Sequence, residues 1–157
     1  MGQEIERKFL VDTARWQPRD AGVHYSQGYL SSDKERIVRV RIEGEQAKLT
    51  IKGRNAGITR SEFEYSIPLA DAQAMLAGLC EQPLIDKHRH TEQHHGQTWE
   101  IDVFHGDNDG LVVAEIELAS EDEAFDLPEW ALREVSDDPR YFNAALLKNP
   151  FKNWAPR

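Results

Sequence analysis

The chain of 157 residues contains one cysteine, Cys80, which excludes an internal disulfide and any zinc cage built from thiolates. Long apolar runs are missing too, and nothing approaches the roughly 20 residues a membrane-spanning helix needs. The opening MGQEIERKFLV is charged at once and has no apolar segment of signal-peptide length, so a cytoplasmic, reducing location is expected. Positive charge is in the minority: 19 Lys and Arg face 28 Asp and Glu, a formal charge of −9. A field of that sign repels nucleic acid and anionic membranes alike, so neither is expected as a partner. Two backbone phosphate-binding signatures are also lacking: no G-x-x-x-x-G-K-[ST] loop occurs, and no G-x-G-x-x-G opens a helix. Any phosphate site must therefore be built from side chains. With 39% hydrophobic residues, four Trp and six Phe, the chain can form a core, and its length suits one domain over 1–157.

What the sequence does have is alternation of period two, the mark of strands whose faces differ. About eight such segments follow one another, joined by short Gly-containing turns at 53–57, His94–Gly96 and Asp107–Gly110. Residues two apart on a strand share a face. Here acids pair with acids (Glu4/Glu6, Glu62/Glu64, Glu100/Asp102, Glu115/Glu117), and bases with bases (Arg39/Arg41, Lys87/Arg89), with Lys8 and Lys52 added. A sheet that leaves its charged face in water explains any one of these strands. The ordered set is better explained by closure, in which all these groups line one interior. The expected fold is then α+β: an eight-stranded antiparallel barrel with a charged tunnel inside and helices packed outside. Such an interior is costly unless its charges pair or a ligand compensates them.

Helices are expected at 71–80, after the capping-box pair Ser120 and Glu123 up to Pro128, and after Asp138-Pro139. In the last, Phe142, Ala145 and Leu146 would form one apolar stripe. The H-x-H of His88 and His90 invites a zinc reading. Parity puts both opposite Lys87 and Arg89, and His94–His95 sits at a turn, so outer-face packing or solvation is expected. Arg36, Lys48 and Arg60 fit either a tunnel rim or the surface, and Cys80 fits a buried, inert thiol.

Several glutamates on facing strands give hard oxygen ligands for Mg²⁺ or Mn²⁺. Arg and Lys suit phosphate oxygens, as forks and as point charges. The two sets together describe metal-assisted phosphoryl transfer.

The residues at 4–9, EIERKF, resemble the E-x-E-x-K signature of the CYTH superfamily, the triphosphate tunnel metalloenzymes. Ordered companions strengthen the resemblance: RVR at 39–41, LTIKG at 49–53, EFEYSI at 62–67, KHR at 87–89, EIDVF at 100–104 and AEIEL at 114–118. EVSDDPRYFNAAL at 134–146 is similar to the closing helix of short bacterial members. The resemblance implies an eight-stranded tunnel and, by position, its site. Glu4, Glu6 and Glu117 would be direct metal ligands, and Glu115 a ligand or water-orienting group. Glu62 and Glu64 would help hold a second metal or the attacking water. Lys8, Arg39, Arg41, Lys52, Lys87 and Arg89 would clamp phosphate, and Tyr29 beside Lys8 would accept a proton. The activity implied is metal-dependent hydrolysis of inorganic triphosphate, a small-molecule substrate, by a chain whose family precedent allows a homodimer. Nucleoside or thiamine triphosphate hydrolysis, class IV-type adenylate cyclisation and non-catalytic polyphosphate or triphosphate binding are the alternatives.

Overall fold

The computed structural model describes residues 2–154. Its strands are β1 (Gln3–Val11), β2 (Val23–Asp33), β3 (Arg36–Glu43), β4 (Gln46–Lys52), β5 (Thr59–Ile67), β6 (Ile85–His94), β7 (Gln97–Phe104), β8 (Val112–Glu117) and β9 (Ala131–Glu134). They pair antiparallel in the order β5-β4-β3-β2-β6-β7-β8-β1-β9, and a further β5–β1 pairing closes eight of them into a barrel. β1 makes closure possible by serving two neighbours in succession. Gln3–Ile5 pair with β5, and Phe9 and Val11 pair with β9, while β8 runs beside residues 6–10. The short β9 was not among the expected strands. It covers the edge of β1 that β5 leaves open, which is how an exposed ladder is blunted.

The register keeps the charged parity pointing inward on every strand. Glu6 lies opposite Glu117, Lys8 opposite Glu115, Arg39 opposite Thr50 and Arg89 opposite Asp102. The β6–β7 hairpin turns on His95 and Gly96, with φ of 50° and 79°. Two consecutive positive φ values match the right-handed twist of the flanking strands.

With the inside charged, much of the apolar core lies on the outer wall. Phe9, Trp16, Trp99, Ile101, Ala114, Ile116 and Leu118 form one buried cluster. The helix α1 (Leu69–Gly78) covers a second, packing Ala72 and Leu76 over Val40 and Ala47. Gly28 permits that approach, since a Cβ there would stand 2.7 Å from Leu84 and 2.9 Å from Cys80.

No helix forms after Ser120; the segment is a turn with Glu123 N–H donating to the Ser120 carbonyl. Ser120 spends its hydroxyl on Asp122, and Glu123 accepts from the Ala119 amide, local bonds that compete with a helical ladder. The chain instead lays Phe125 and Trp130 edge-on against Trp99, with ring centroids 5.9 and 5.7 Å away. After Asp138 the expected single helix is broken. A 3-10 turn over Pro139–Tyr141, capped by Asp138, and the helix α2 (Asn143–Lys148) are separated by Phe142, which is extended. This segment seats at one end of the barrel, where Tyr141, Leu146 and Leu147 meet Tyr29, Ile37, Ile85, Phe104 and Val113 in a third cluster. No helix among the described residues is long and apolar enough to cross a membrane.

Candidate active site

The barrel encloses a cavity of about 290 Å³, and sixteen of its 25 lining residues are charged, so the space suits a highly charged ligand. All thirteen residues expected at the site line it: Glu4, Glu6, Lys8, Tyr29, Arg39, Arg41, Lys52, Glu62, Glu64, Lys87, Arg89, Glu115 and Glu117. Lys48 and Arg60 line it too, whereas Arg36 is on the outside, 77% exposed.

The acids divide into two populations. Glu4 from β1, Glu62 from β5 and Glu117 from β8 each offer a carboxylate oxygen within 4.8 Å of the others. Glu6 faces Glu117 across the β1–β8 ladder. Burial, then Glu115 and Glu4, push the Glu6 carboxyl up to about 8. Burial and neighbouring carboxylates likewise raise Glu62 and Glu117. Lys52 is the cation inside this group, 3.1 Å from Glu4 Oε1 and 3.5 Å from Glu62 Oε2. One ammonium leaves the acids under-compensated. Hard oxygen donors from three strands, converging on an acid-rich space, fit a divalent cation of the Mg²⁺ class.

The other acids are already matched. Glu115 lies 3.4 Å from Lys8 and 3.2 Å from Arg89. Burial would raise it, but Lys8 and Arg89 prevail and hold it at about 2. Glu64 accepts from Thr50 at 3.0 Å and lies within 4 Å of Arg39, Arg41 and Lys48. Asp102, fully buried, accepts from Arg89 Nε at 2.7 Å, Arg89 Nη2 at 2.9 Å and Lys87 Nζ at 2.7 Å. Burial lowers Lys87 to about 8, against the pull of Asp102.

Another part of the cavity lining is basic. Arg39 and Arg41 are adjacent inward positions of β3, and each is only 8% exposed. Arg39 Nε is buried with no hydrogen-bond partner among the described residues, a donor aimed at an acceptor the protein does not supply. Arg41 and Arg89 stack on Tyr25, 4.8 and 4.9 Å from its ring centre. Lys8 donates to the Tyr141 carbonyl at 3.1 Å, and the Tyr29 hydroxyl accepts from Gln27 at 3.1 Å.

Four contributors were given no site role from sequence. Asp102 shares the parity of Glu100, a visible signal, but its role as counter-ion depends on the Arg89–Asp102 register. Glu43 shares the parity of Arg41 and forms an ion pair with it. Gln27 and Asn143 join near Lys87, Asn143 Oδ1 accepting from Lys87 at 3.0 Å and from Gln27 at 3.2 Å. Asn143 carried no signal, because a break at Phe142 decides where it points.

The raised carboxyls set a stability prediction. Glu6 has a folded value of about 8 against an ordinary 4.5, so the folded state gains protons relative to the unfolded one between those values. Stability is then fullest below about pH 4.5 for this group and is lost as pH rises towards 8. In chelator, denaturant unfolding is expected to show a loss of roughly 1–3 kcal/mol from pH 5 to pH 8, discounted for partial exposure. Excess Mg²⁺ should flatten that slope. A slope unchanged by Mg²⁺ would place the cation elsewhere.

The sequence matches the CYTH domain over residues 2–142. It is 49% identical over 154 residues to an inorganic triphosphatase of Acetivibrio thermocellus, covering 98% of this chain and 99% of that protein. Against an inorganic triphosphatase of Nitrosomonas europaea the identity is 37% over 150 residues, covering 91% and 95%. A crystal structure of an inorganic triphosphatase aligns with a TM-score of 0.65 and 34% identity, covering 92% of this chain and 93% of that one. With a tunnel of this architecture and a match across nearly the whole chain, the protein belongs to the CYTH domain family.

Proposed function

We propose that the protein hydrolyses inorganic triphosphate to pyrophosphate and phosphate within the barrel, using Mg²⁺ or Mn²⁺, with 1–157 acting as one domain. The observation that carries this reading is the division of one cavity into an under-compensated acid group and an arginine wall with an unmatched donor. Sites for organic ligands are lined mainly by apolar and aromatic groups. Here Tyr25 is occupied by two guanidiniums and Phe142 by Lys8 and Arg60, which leaves Ile37, Ile58 and Ala144 as a small apolar share of a charged lining. Inorganic triphosphate fits such a lining better than its organic esters do.

Glu4, Glu62 and Glu117 would hold the cation, with Glu6 beside them. A divalent cation there would draw charge from the phosphate oxygens and lower the cost of bringing water to phosphorus. Lys52, on the same cavity beside Glu4 and Glu62, would contribute a point charge to the phosphate. Arg39 and Arg41 would meet equatorial oxygens through paired N–H groups, stabilising charge as it spreads in the transition state. Lys87 and Arg89, held in place by Asp102, would bind the leaving pyrophosphate. Glu64 and Glu115 would then orient cations rather than ligate metal, since each is already matched by Arg or Lys. Tyr29 is the proposed proton acceptor, with Lys8 lining the same cavity. A cytoplasmic location and a homodimer complete the proposal. Phe63 and Tyr65, 47% and 56% exposed on the outer wall beside Ile51, offer the apolar surface for pairing.

The test is phosphate release from inorganic triphosphate, ATP and thiamine triphosphate with Mg²⁺, Mn²⁺ or chelator. Turnover is expected with either metal, to favour inorganic triphosphate at least about tenfold, and to stop in chelator. Equal rates on ATP would overturn the substrate assignment, and metal-independent turnover would overturn the role of the acids.

A further inference from the structure

The barrel wall carries a second group of metal-competent side chains on the face opposite the tunnel. His24 on β2 and His88 on β6 are direct cross-strand partners, both on the outward parity. Their rings lie 5.1 Å apart. His105, just beyond β7, continues that strand's outward parity, and its amide donates to the Asp86 carbonyl at 3.0 Å, fixing it beside β6. His88 Nδ1 and His105 Nε2 face each other at 2.8 Å, while His24 Nε2 meets Asp86 Oδ1 at 2.7 Å. Three imidazoles and a carboxylate from three consecutive neighbours of the sheet thus gather at one place. A shallow cavity of about 220 Å³, lined partly by Asp86, His105 and Asp107, opens beside them and gives solvent access.

Two imidazole nitrogens in such contact cannot both carry a proton: one donates and the other offers a lone pair. A tetrahedral zinc ion bonded at about 2.0–2.1 Å to each would hold them roughly 3.3 Å apart, so the pair needs to open by only about 0.5 Å. His24 does not yet converge with them, because its Nε2 is turned to Asp86. Its side chain is 51% exposed and can swing in, and the Asp86 contact already has the form in which a carboxylate orients a metal-binding imidazole through its other nitrogen. Lys87 and Arg89 flank His88 in sequence, but they project into the tunnel and leave the outer face without nearby cations from β6.

We propose that His88 and His105, with His24 as third ligand and Asp86 behind it, form an exterior site for an imidazole-preferring transition cation such as Zn²⁺. It would clip β2, β6 and the β7–β8 connection together. Ligand softness separates it from the tunnel: oxygen donors inside select the Mg²⁺ class, and nitrogen donors outside select Zn²⁺ or Cu²⁺. The site is independent of the reaction proposed for the tunnel.

The experiment uses the full untagged chain in excess Mg²⁺, which keeps the tunnel carboxylates occupied. One equivalent of Cu²⁺ is added, and its electron paramagnetic resonance spectrum is read for nitrogen hyperfine splitting. Zn²⁺ affinity is measured in parallel by competition with a chromogenic chelator. Nitrogen splitting from at least two imidazoles is expected, and His105→Ala and His88→Ala should each remove one nitrogen from it and weaken Zn²⁺ at least about tenfold. His24→Ala should remove one nitrogen. The double variant His94→Ala/His95→Ala should leave spectrum and affinity unchanged. Oxygen-only coordination in the wild type, loss of splitting in the His94/His95 variant, or a full spectrum in His105→Ala would each overturn the site. His105 lies outside the strands, so its variant keeps the test decisive if His88→Ala fails to fold.

Discussion

Glu117→Gln is expected to lower metal-dependent triphosphate hydrolysis by about 10²–10³-fold, the several kcal/mol of transition-state charge stabilisation that a properly held cation supplies. The melting temperature should stay the same or rise slightly. That combination is unusual for a substitution inside a barrel, and it follows from the side chain's surroundings. The Glu117 side chain has no hydrogen bond or ion pair with any described residue, and it lies within 4.8 Å of the carboxylates of Glu4 and Glu62, which raise its pKa after burial has done so. Removing its charge relieves repulsion in the folded protein while taking an oxygen ligand from the cation. Glu64→Gln is the matched control on the same cavity. Its carboxylate serves Thr50, Arg39, Arg41 and Lys48, so its loss should raise KM more than it lowers kcat. Full turnover by Glu117→Gln at both saturating and limiting Mg²⁺ would remove the carboxylate group at Glu4, Glu62 and Glu117 from the metal role.

Asp102→Asn is expected to have the opposite profile, a large loss of stability with a secondary loss of substrate binding. Asp102 is 0% exposed and neutralises two cations at once, through a bidentate grip on Arg89 and a bond to Lys87. The substitution keeps the shape but leaves Lys87 without its paired carboxylate and Arg89 with Glu115 and Glu100 alone, and breaking a buried pair in this way costs about 3–5 kcal/mol. Lys87 is already lowered to about 8, by burial first and with Asp102 as the main opposing influence. Without that influence it loses its proton near neutrality, and KM for triphosphate rises. Burial alone would raise the Asp102 carboxyl, yet Arg89 and Lys87 hold it below the ordinary range. Its stabilisation is therefore complete above an unfolded value near 3.9 and is lost as pH falls through the lower folded value. Urea unfolding at pH 7 should show the full difference between variant and wild type, and the gap should close progressively below about pH 4. A variant as stable as the wild type at pH 7 would mean that Lys87 and Arg89 are compensated by other groups.

These two acids show how far the sequence reaches. The pairing of acids with acids and bases with bases, two residues apart, is sufficient to predict a charged interior, because strand parity is a local property of the chain. Closure was legible from the order of the set, since solvated strand faces mix polar residues while these strands repeat like-charge pairs, and from the E-x-E-x-K at 4–8, which resembles a family in which they are enclosed. Failures came where tertiary packing overrides local preference. Ser120 and Glu123 have the spacing of a helix start, but Phe125 and Trp130 gain more by lying on Trp99 than the segment gains by coiling. β9 is only four residues long and exists because β1 has an edge to fill.

Glu115 and Glu117 mark the boundary most sharply. They are neighbours on one face of β8, and nothing in AEIEL separates their chemistry. Their inward orientation, the charge balance of the interior and the family were set by the sequence itself, since each depends on residue type and spacing along the chain. Which acid becomes a counter-ion and which is left uncompensated was decided by the register. Lys8 and Arg89 close around Glu115 and hold it ionised, while Glu117, one inward step along the strand, meets Glu4 and Glu62. The interaction between charges falls with distance and grows with burial, and both are properties of strands brought together across the barrel.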